Sequence, residues 1–313
     1  MKTQLLVILS PPRSFSSVIS TMIGQHPDIY GFPELHVFIG NTLQEVLDRE
    51  YKVGNYFGPP GLLRAVAELE WGYQTSESIL KAVGWLGVRR KWSTKKLMDY
   101  LLEKVNPLLG IEKSPITSLQ QLWIERAYSF FPNAYFLHLT RHPVSTRKSI
   151  DIFLRQPGRS TRPPTHDSLL TWYRFHRNII EFTRTLPTGQ SMRIKGEDLM
   201  AYPDVFLPQI AEWMGIRTDL NAIEAMKHPE KSPYAFRGPY PAHGGNDGNF
   251  MRNPSLTDRK IIEPSLRGFI NSAPISWLDE HNKSLLNQIG YDIAKPKELA
   301  SEILSFSSSL GYY

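Results

Sequence analysis

Apolar positions along the chain fall into two regimes. Short β-type runs occupy Gln4 to Leu9, Leu108 to Glu112, Tyr135 to Thr140 and Met192 to Lys195, and a longer stretch with helical spacing follows each. Uninterrupted short runs predict strands buried on both faces, and spacings of three and four predict amphipathic helices. Thr117 to Phe130 carries such a stripe at Leu119, Leu122, Trp123, Ala127 and Phe130, entered through Ser114-Pro115. Tyr202-Pro203 followed by Val205, Phe206, Ile210, Trp213 and Met214 repeats it, and both stripes read as core. Strands alternating with helices predict an α/β fold with a central parallel sheet flanked by helices. The expected organisation is one domain over 1–300, with a helical insertion at 41–104 that covers the site. The Ser-rich end, 301–313, is expected to fray. Gln156 to Pro164 and Pro229 to Pro254 are rich in loop formers and read as binding loops or lids.

Composition narrows the partners. The chain has 313 residues, no cysteine and a formal charge of +6, which excludes disulfides and thiolate chemistry and favours an anionic partner. Apolar runs are too short to span a membrane, so a cytoplasmic protein is expected. The densest basic run, Arg89-Arg90-Lys91 with Lys95-Lys96, reads as a solvated face. No zinc-finger, RRM-like or zipper pattern accompanies it, so nucleic acid is not the expected ligand.

Four motifs carry chemistry. Ser10-Pro11-Pro12-Arg13-Ser14-Phe15-Ser16-Ser17 turns directly from the first strand into a helix opening near Val18. Such a turn aims backbone N–H groups and the positive helix end at one point, an anion site to which serines add donors and Arg13 a forked charge; alone, it also fits an ordinary capped helix. Tyr135 to Pro143 delivers Arg141 to the carboxyl end of a strand, and Ser149 follows on the next helix. Gly31-Phe32-Pro33-Glu34-Leu35-His36 supplies a carboxylate and an imidazole, either of which suits proton transfer near neutral pH. Gly110 to Pro115 ends a strand on Glu112-Lys113-Ser114.

Taken in order, these motifs resemble the nucleotide-dependent sulfotransferase family. Its phosphosulfate loop, Pro-[Arg/Lys]-Ser-Gly-[Ser/Thr]-[Ser/Thr], appears here as Pro12-Arg13-Ser14-Phe15-Ser16-Ser17, with Phe15 in place of the usual glycine. Arg141 and Ser149 match the spacing of the family's 3′-phosphate site, and Lys113 its [Asp/Glu]-Lys-[Ser/Thr]-Pro element. Lys195 to Leu199 and Phe236-Arg237-Gly238 are weaker matches, Arg237 and Gly238 being placed to close over the 3′-phosphate. The resemblance implies 3′-phosphoadenosine 5′-phosphosulfate (PAPS) as donor and 3′-phosphoadenosine 5′-phosphate (PAP) as product. The acceptor would be a hydroxyl on a small, lipid-like or carrier-bound molecule. It also implies Glu34 as the base, His36 being the rival, and Lys113 with Arg13 as the groups that stabilise charge on the leaving phosphate. No metal ligand pattern is present. Two alternatives remain at this stage: a P-loop phosphotransferase, against which the absence of Gly-x-x-x-x-Gly-Lys-[Ser/Thr] weighs, and a non-catalytic nucleotide-binding protein. Tyr56, Phe57, Trp71 and Trp85 are candidates for an apolar acceptor pocket, with burial in the insertion's core as the competing role.

Overall fold

A computed structural model describes residues 5–154, 168–256, 266 and 296–313. Its centre is β1 (Leu5–Leu9), whose five residues are all buried. Successive side chains of a strand point to opposite faces, so Leu5, Val7 and Leu9 enter one core and Leu6 and Ile8 the other. Around β1 lie β2 (Ile29–Gly31), β3 (Leu109–Glu112), β4 (Tyr135–Thr140) and β5 (Ser191–Lys195), in the order β2-β3-β1-β4-β5. Every pair is parallel, with Leu5 opposite Gly110, Leu6 opposite Tyr135, Ile29 opposite Leu109 and Thr140 opposite Lys195. The fold is therefore α/β, as the alternation predicts. Because β1 sits between β3 and β4, the loop after Leu9, Lys113 and Arg141 all leave the sheet at the same edge. Open parallel sheets bind ligands at that edge.

Helices cover both faces. α1 (Ser16–Ile23) follows the β1 loop, and 41–104 folds into α2 (Leu43–Lys52), α3 (Pro60–Trp71), α4 (Ser76–Gly87) and α5 (Thr94–Val105). Thr42, Thr75 and Ser93 each accept a hydrogen bond from an N–H of the first turn of the helix that follows, which fixes where α2, α4 and α5 begin. Among the described residues the other helices are α6 (Gln121–Phe130), α7 (Pro143–Leu154), α8 (Ser168–Thr183), α9 (Gly196–Ala201), α10 (Pro203–Met214), α11 (Leu220–Met226) and α12 (Pro296–Ser309). The basic run after α4 folds onto rings, with Arg89 3.9 Å from the Trp85 centroid and Lys96 4.6 Å from that of Trp92. Among the described residues no helix is long and apolar enough to cross a membrane.

Four features differ from the sequence reading or extend it. The edge strand β2, three residues long, adds to the four strands that the sequence predicts. The helix expected over Thr117 to Phe130 is a 3₁₀ turn, Pro115–Leu119, followed by α6. There Asn178 Nδ2 donates to the carbonyls of Ser118 and Leu119 at 3.1 and 3.0 Å, taking acceptors that a continuous helix would use. The end expected to fray instead forms α12 and a buried anchor. Tyr312 is fully buried, its hydroxyl 2.7 Å from Thr140 Oγ1 and 3.2 Å from Glu197 Oε2, while Lys195 Nζ donates to the Gly311 carbonyl. Finally, the 229–254 loop is ordered around Arg64, which is 2% exposed and donates to the carbonyls of Gly244 and Pro233. The loop reading of Gln156 to Pro164 lies outside the described residues.

Candidate active site

The β1–α1 turn folds tightly because two of its residues take left-handed backbone conformations, Arg13 at φ 66° and Phe15 at φ 61°. Such angles are uncommon outside glycine, and the surroundings hold them in place here. The Phe15 ring lies 4.2 Å below the Arg141 guanidinium and presses against Gly196. The bulky ring at the usual glycine position is thus turned towards β4 and β5, where it supports Arg141. Ser14, Ser16 and Ser17 are buried, and Pro12 and Arg13 are partly exposed.

The two expected anion sites meet. Arg13 Nε donates to Ser149 Oγ at 3.1 Å, and the Arg141 guanidinium donates to the Arg13 carbonyl. Trp172 Nε1 holds the Arg141 carbonyl at 2.9 Å from the other side. Burial shifts the Arg141 pKa below its usual value, and a bound anion would offset that cost. Ser14 Oγ and Arg141 Nε are buried with no hydrogen-bond partner among the described residues. Orphaned donors of this kind at an arginine-lined turn fit phosphate or sulfate oxygens.

On the β2–β3 side stands a charge cluster. Lys113, fully buried, donates from Nζ to Glu34 Oε1 at 2.6 Å, Ser17 Oγ at 2.9 Å and Asn246 Oδ1 at 3.1 Å, which uses all three ammonium protons. Glu34 Oε2 lies 3.7 Å from His36 Nε2, and His36 Nδ1 donates to Glu50 Oε1 at 2.8 Å. Asn55 Nδ2 holds the other oxygen of Glu50 at 2.5 Å, and Ser114 Oγ accepts the His36 backbone N–H at 3.0 Å. Burial alone would raise the Glu34 pKa, but Lys113 and then His36 outweigh it and bring it down to about 2. Burial would lower the His36 pKa, but Glu34 and Glu50 raise it to about 10. At neutral pH the cluster is therefore a carboxylate flanked by an ammonium and an imidazolium. Burial raises the Glu112 pKa, and Ser114 donates to that carboxyl.

The Glu34 backbone is fixed as tightly as its side chain. Its N–H donates to the Gly245 carbonyl at 2.7 Å, and Gly61 at the start of α3 packs directly on its own carbonyl, where a Cβ would collide. Gly245 has φ 108° and approaches Gly61 closely, so both positions require glycine.

The cluster also has a definite pH signature. His36, with its raised pKa, contributes stability that is complete below about pH 6.5 and is lost as pH rises towards about 10. Glu34, with its depressed pKa, contributes stability that is complete above about pH 4.5 and is lost as pH falls towards about 2. These are largely one interaction seen from both partners, complete only between the two inner limits. The melting-temperature deficit of His36→Gln relative to wild type should therefore be largest near pH 6 and shrink by about pH 9.5. An unchanged deficit would show that His36 is not held as a cation.

Some residues of the site carry no signal in the sequence. Asn246 and Asp247, on the returning loop, reach Lys113, Ser17 and Arg13: the Asp247 N–H donates to Ser17 Oγ at 2.9 Å, and its carboxylate pairs with the Arg13 guanidinium. Their only trace in sequence is the run Gly244-Gly245-Asn246-Asp247-Gly248. Arg237 is exposed, and Gly238 packs on Arg64 and exchanges backbone contacts with the His243 region. Trp85 and Trp71 belong to the core of the insertion, whereas Tyr56 and Phe57 are 68% and 40% exposed, with Phe57 edge-on to Tyr240 at 6.2 Å.

Comparison with known proteins adds the following. Residues 6–219 match the model of a family described as the sulfotransferase family. Among solved structures, a sulfotransferase domain from the curacin biosynthetic pathway superposes with a TM-score of 0.68 at 20% identity, covering 94% of this chain and 99% of that one. A sulfotransferase domain from the Synechococcus PCC 7002 olefin synthase superposes with a TM-score of 0.65 at 24% identity, covering 93% and 97%. No curated protein matches the sequence.

Proposed function

The chain belongs to the sulfotransferase family, and on that premise we propose that it moves a sulfuryl group from PAPS to an acceptor hydroxyl at the edge where β1, β3 and β4 end. One observation carries the reading. The turn after β1 and the Arg141–Ser149 pair form a single basic floor, joined by the Arg13 to Ser149 hydrogen bond of 3.1 Å. A nucleotide with anions at both its 5′ and 3′ ends fits that floor, and the orphaned Ser14 hydroxyl and Arg141 Nε offer donors for it.

When bound, PAPS supplies an activated sulfuryl group. Residues 12 to 17 would hold its 5′ end through N–H groups and hydroxyls, and Arg141 with Ser149 would hold its 3′-phosphate. Lys113 has two roles. In the structure it neutralises Glu34; with a sulfonate at Ser17, one of its N–H groups would turn to that oxygen and stabilise charge on the leaving phosphate. That turn weakens the hold on Glu34 and raises its basicity, so Glu34 would accept the acceptor's proton once the donor is in place. His36 is already protonated, so it orients and balances Glu34 and does not itself act as the base. Positioning and electrostatics then carry the rate, as in phosphoryl transfer.

The acceptor is a hydroxyl on a small, lipid-like or carrier-bound molecule, and the setting is cytoplasmic. Thermal unfolding with PAP and with ATP-Mg tests the donor. At one hundred times its Kd a ligand adds about 2.7 kcal/mol to the folded state, a shift of several degrees. PAP should raise the melting temperature more than ATP-Mg at equal concentration. A larger shift with ATP-Mg would overturn the reading in favour of a phosphotransferase.

A further inference from the structure

Two residues of the returning loop occupy the side chains assigned above to the donor's 5′ end. The Asp247 carboxylate pairs with Arg13, its N–H donates to Ser17 Oγ at 2.9 Å, and Asn246 Oδ1 accepts a hydrogen bond from Lys113 Nζ at 3.1 Å. The pair is well shielded, with the Arg13 side chain 11% and the Asp247 side chain 26% exposed. The carboxylate thus offers Arg13 the kind of oxygen that a phosphosulfate would offer. We propose that Asp247 is an internal counter-ion of the donor site, which a ligand must displace from Arg13 and which thereby sets affinity according to the charge at the ligand's 5′ end. This inference rests on the donor reading above.

The local backbone suits displacement. Asn246-Asp247 lies between glycines: Gly245, at φ 108°, precedes it, and Gly248, where a Cβ would meet nothing, follows. Outside this short segment the loop is anchored independently, by Arg64 to the carbonyls of Gly244 and Pro233 and by Phe250 and Met251 in a buried apolar cluster. Movement is thereby confined to the segment between the two anchors. A ligand carrying a dianion at its 5′ end replaces one carboxylate with more charge and more acceptor oxygens. A ligand with no 5′ anion gains nothing from Arg13 and leaves Asp247 in place. Affinity for 5′-charged ligands is therefore reduced by the fraction of molecules in which Asp247 holds Arg13.

Asp247→Asn is the informative variant. It keeps the N–H to Ser17 and the side-chain oxygen that accepts from the N–H groups of Asn249 and Phe250 at 2.9 and 3.2 Å, and it replaces the charged oxygen on Arg13 with a neutral amide nitrogen that cannot accept from the guanidinium. By isothermal titration, PAP should bind Asp247→Asn about tenfold more tightly than wild type, while adenosine 3′-phosphate, which lacks the 5′ group, should bind both equally. Asp247→Ser, with the charge removed and a shorter oxygen in place, should show the same selective gain. Equal or weaker PAP binding in both variants would overturn the inference and make Asp247 a support for Arg13. A gain shared by adenosine 3′-phosphate would overturn it too, as a general loosening of the loop. If wild type and both variants bind no PAP, the donor reading fails and takes this inference with it.

Discussion

Glu34→Gln is expected to lower kcat by about 10²–10⁴-fold, the range for losing a positioned general base, while PAP binding is retained. The substitution is close to isosteric. Its side-chain oxygen still accepts from Lys113 Nζ, and its backbone stays fixed between the Gly245 carbonyl and Gly61, so any lost activity reflects the missing proton acceptor. His36→Gln is the comparison. If His36 acts only as the cation that orients Glu34, the loss should be much smaller and should fall mainly on kcat. Steady-state transfer with labelled donor separates the two. A large loss of activity in His36→Gln, with full activity kept in Glu34→Gln, would reassign the base to His36. Lys113 explains why the order of events matters. In the structure its ammonium group is fully engaged, and Glu34 has a pKa near 2, a weak base as it stands. The reading therefore expects the donor to bind before Glu34 becomes competent.

How far the sequence reveals this differs from element to element. β1, β3 and β4 are legible because central parallel strands are apolar on both faces, and no amphipathic helix mimics so short an uninterrupted run, whereas the edge strand β5 buries only Ile194. β2 escapes because three residues ending on a glycine carry no period, yet it sets the register of the chain that leads to Glu34. α12 escapes for another reason: serines at 301, 305, 307, 308 and 309 have modest helix propensity and favour turns. Tertiary contacts override that preference, since Tyr312 is buried against Thr140 and Glu197, and Ser307 Oγ turns inward to donate to the Ile303 carbonyl at 2.7 Å.

The site divides along the same line. Arg13, Lys113, Arg141 and Ser149 are legible because strand ends and helix starts place them, and short-range sequence encodes those. Asn246 and Asp247 are not, because Asp247 meets Ser17 across 230 positions of chain, and only a glycine-rich loop marks the place. Nor does the sequence separate the roles of Glu34 and His36. Their protonation depends on Glu50 and Lys113, fourteen and seventy-nine positions from the residue each one titrates. Phe15 is the intermediate case. Its departure from the usual glycine is visible in sequence, but its packing under Arg141 emerges only in three dimensions.

If the β1 turn and Arg141 grip opposite ends of one nucleotide, affinity must depend on the 3′-phosphate. PAP and adenosine 5′-phosphate differ only in that group, so titrating both into wild type and Arg141→Ala isolates its contribution. Removing one member of a buried charge-assisted contact costs about 2–5 kcal/mol, a loss of about thirtyfold or more in Kd. Wild type should therefore prefer PAP strongly, and Arg141→Ala should lose that preference. Equal affinity of wild type for the two nucleotides, or a preference for PAP that survives in Arg141→Ala, would contradict the account.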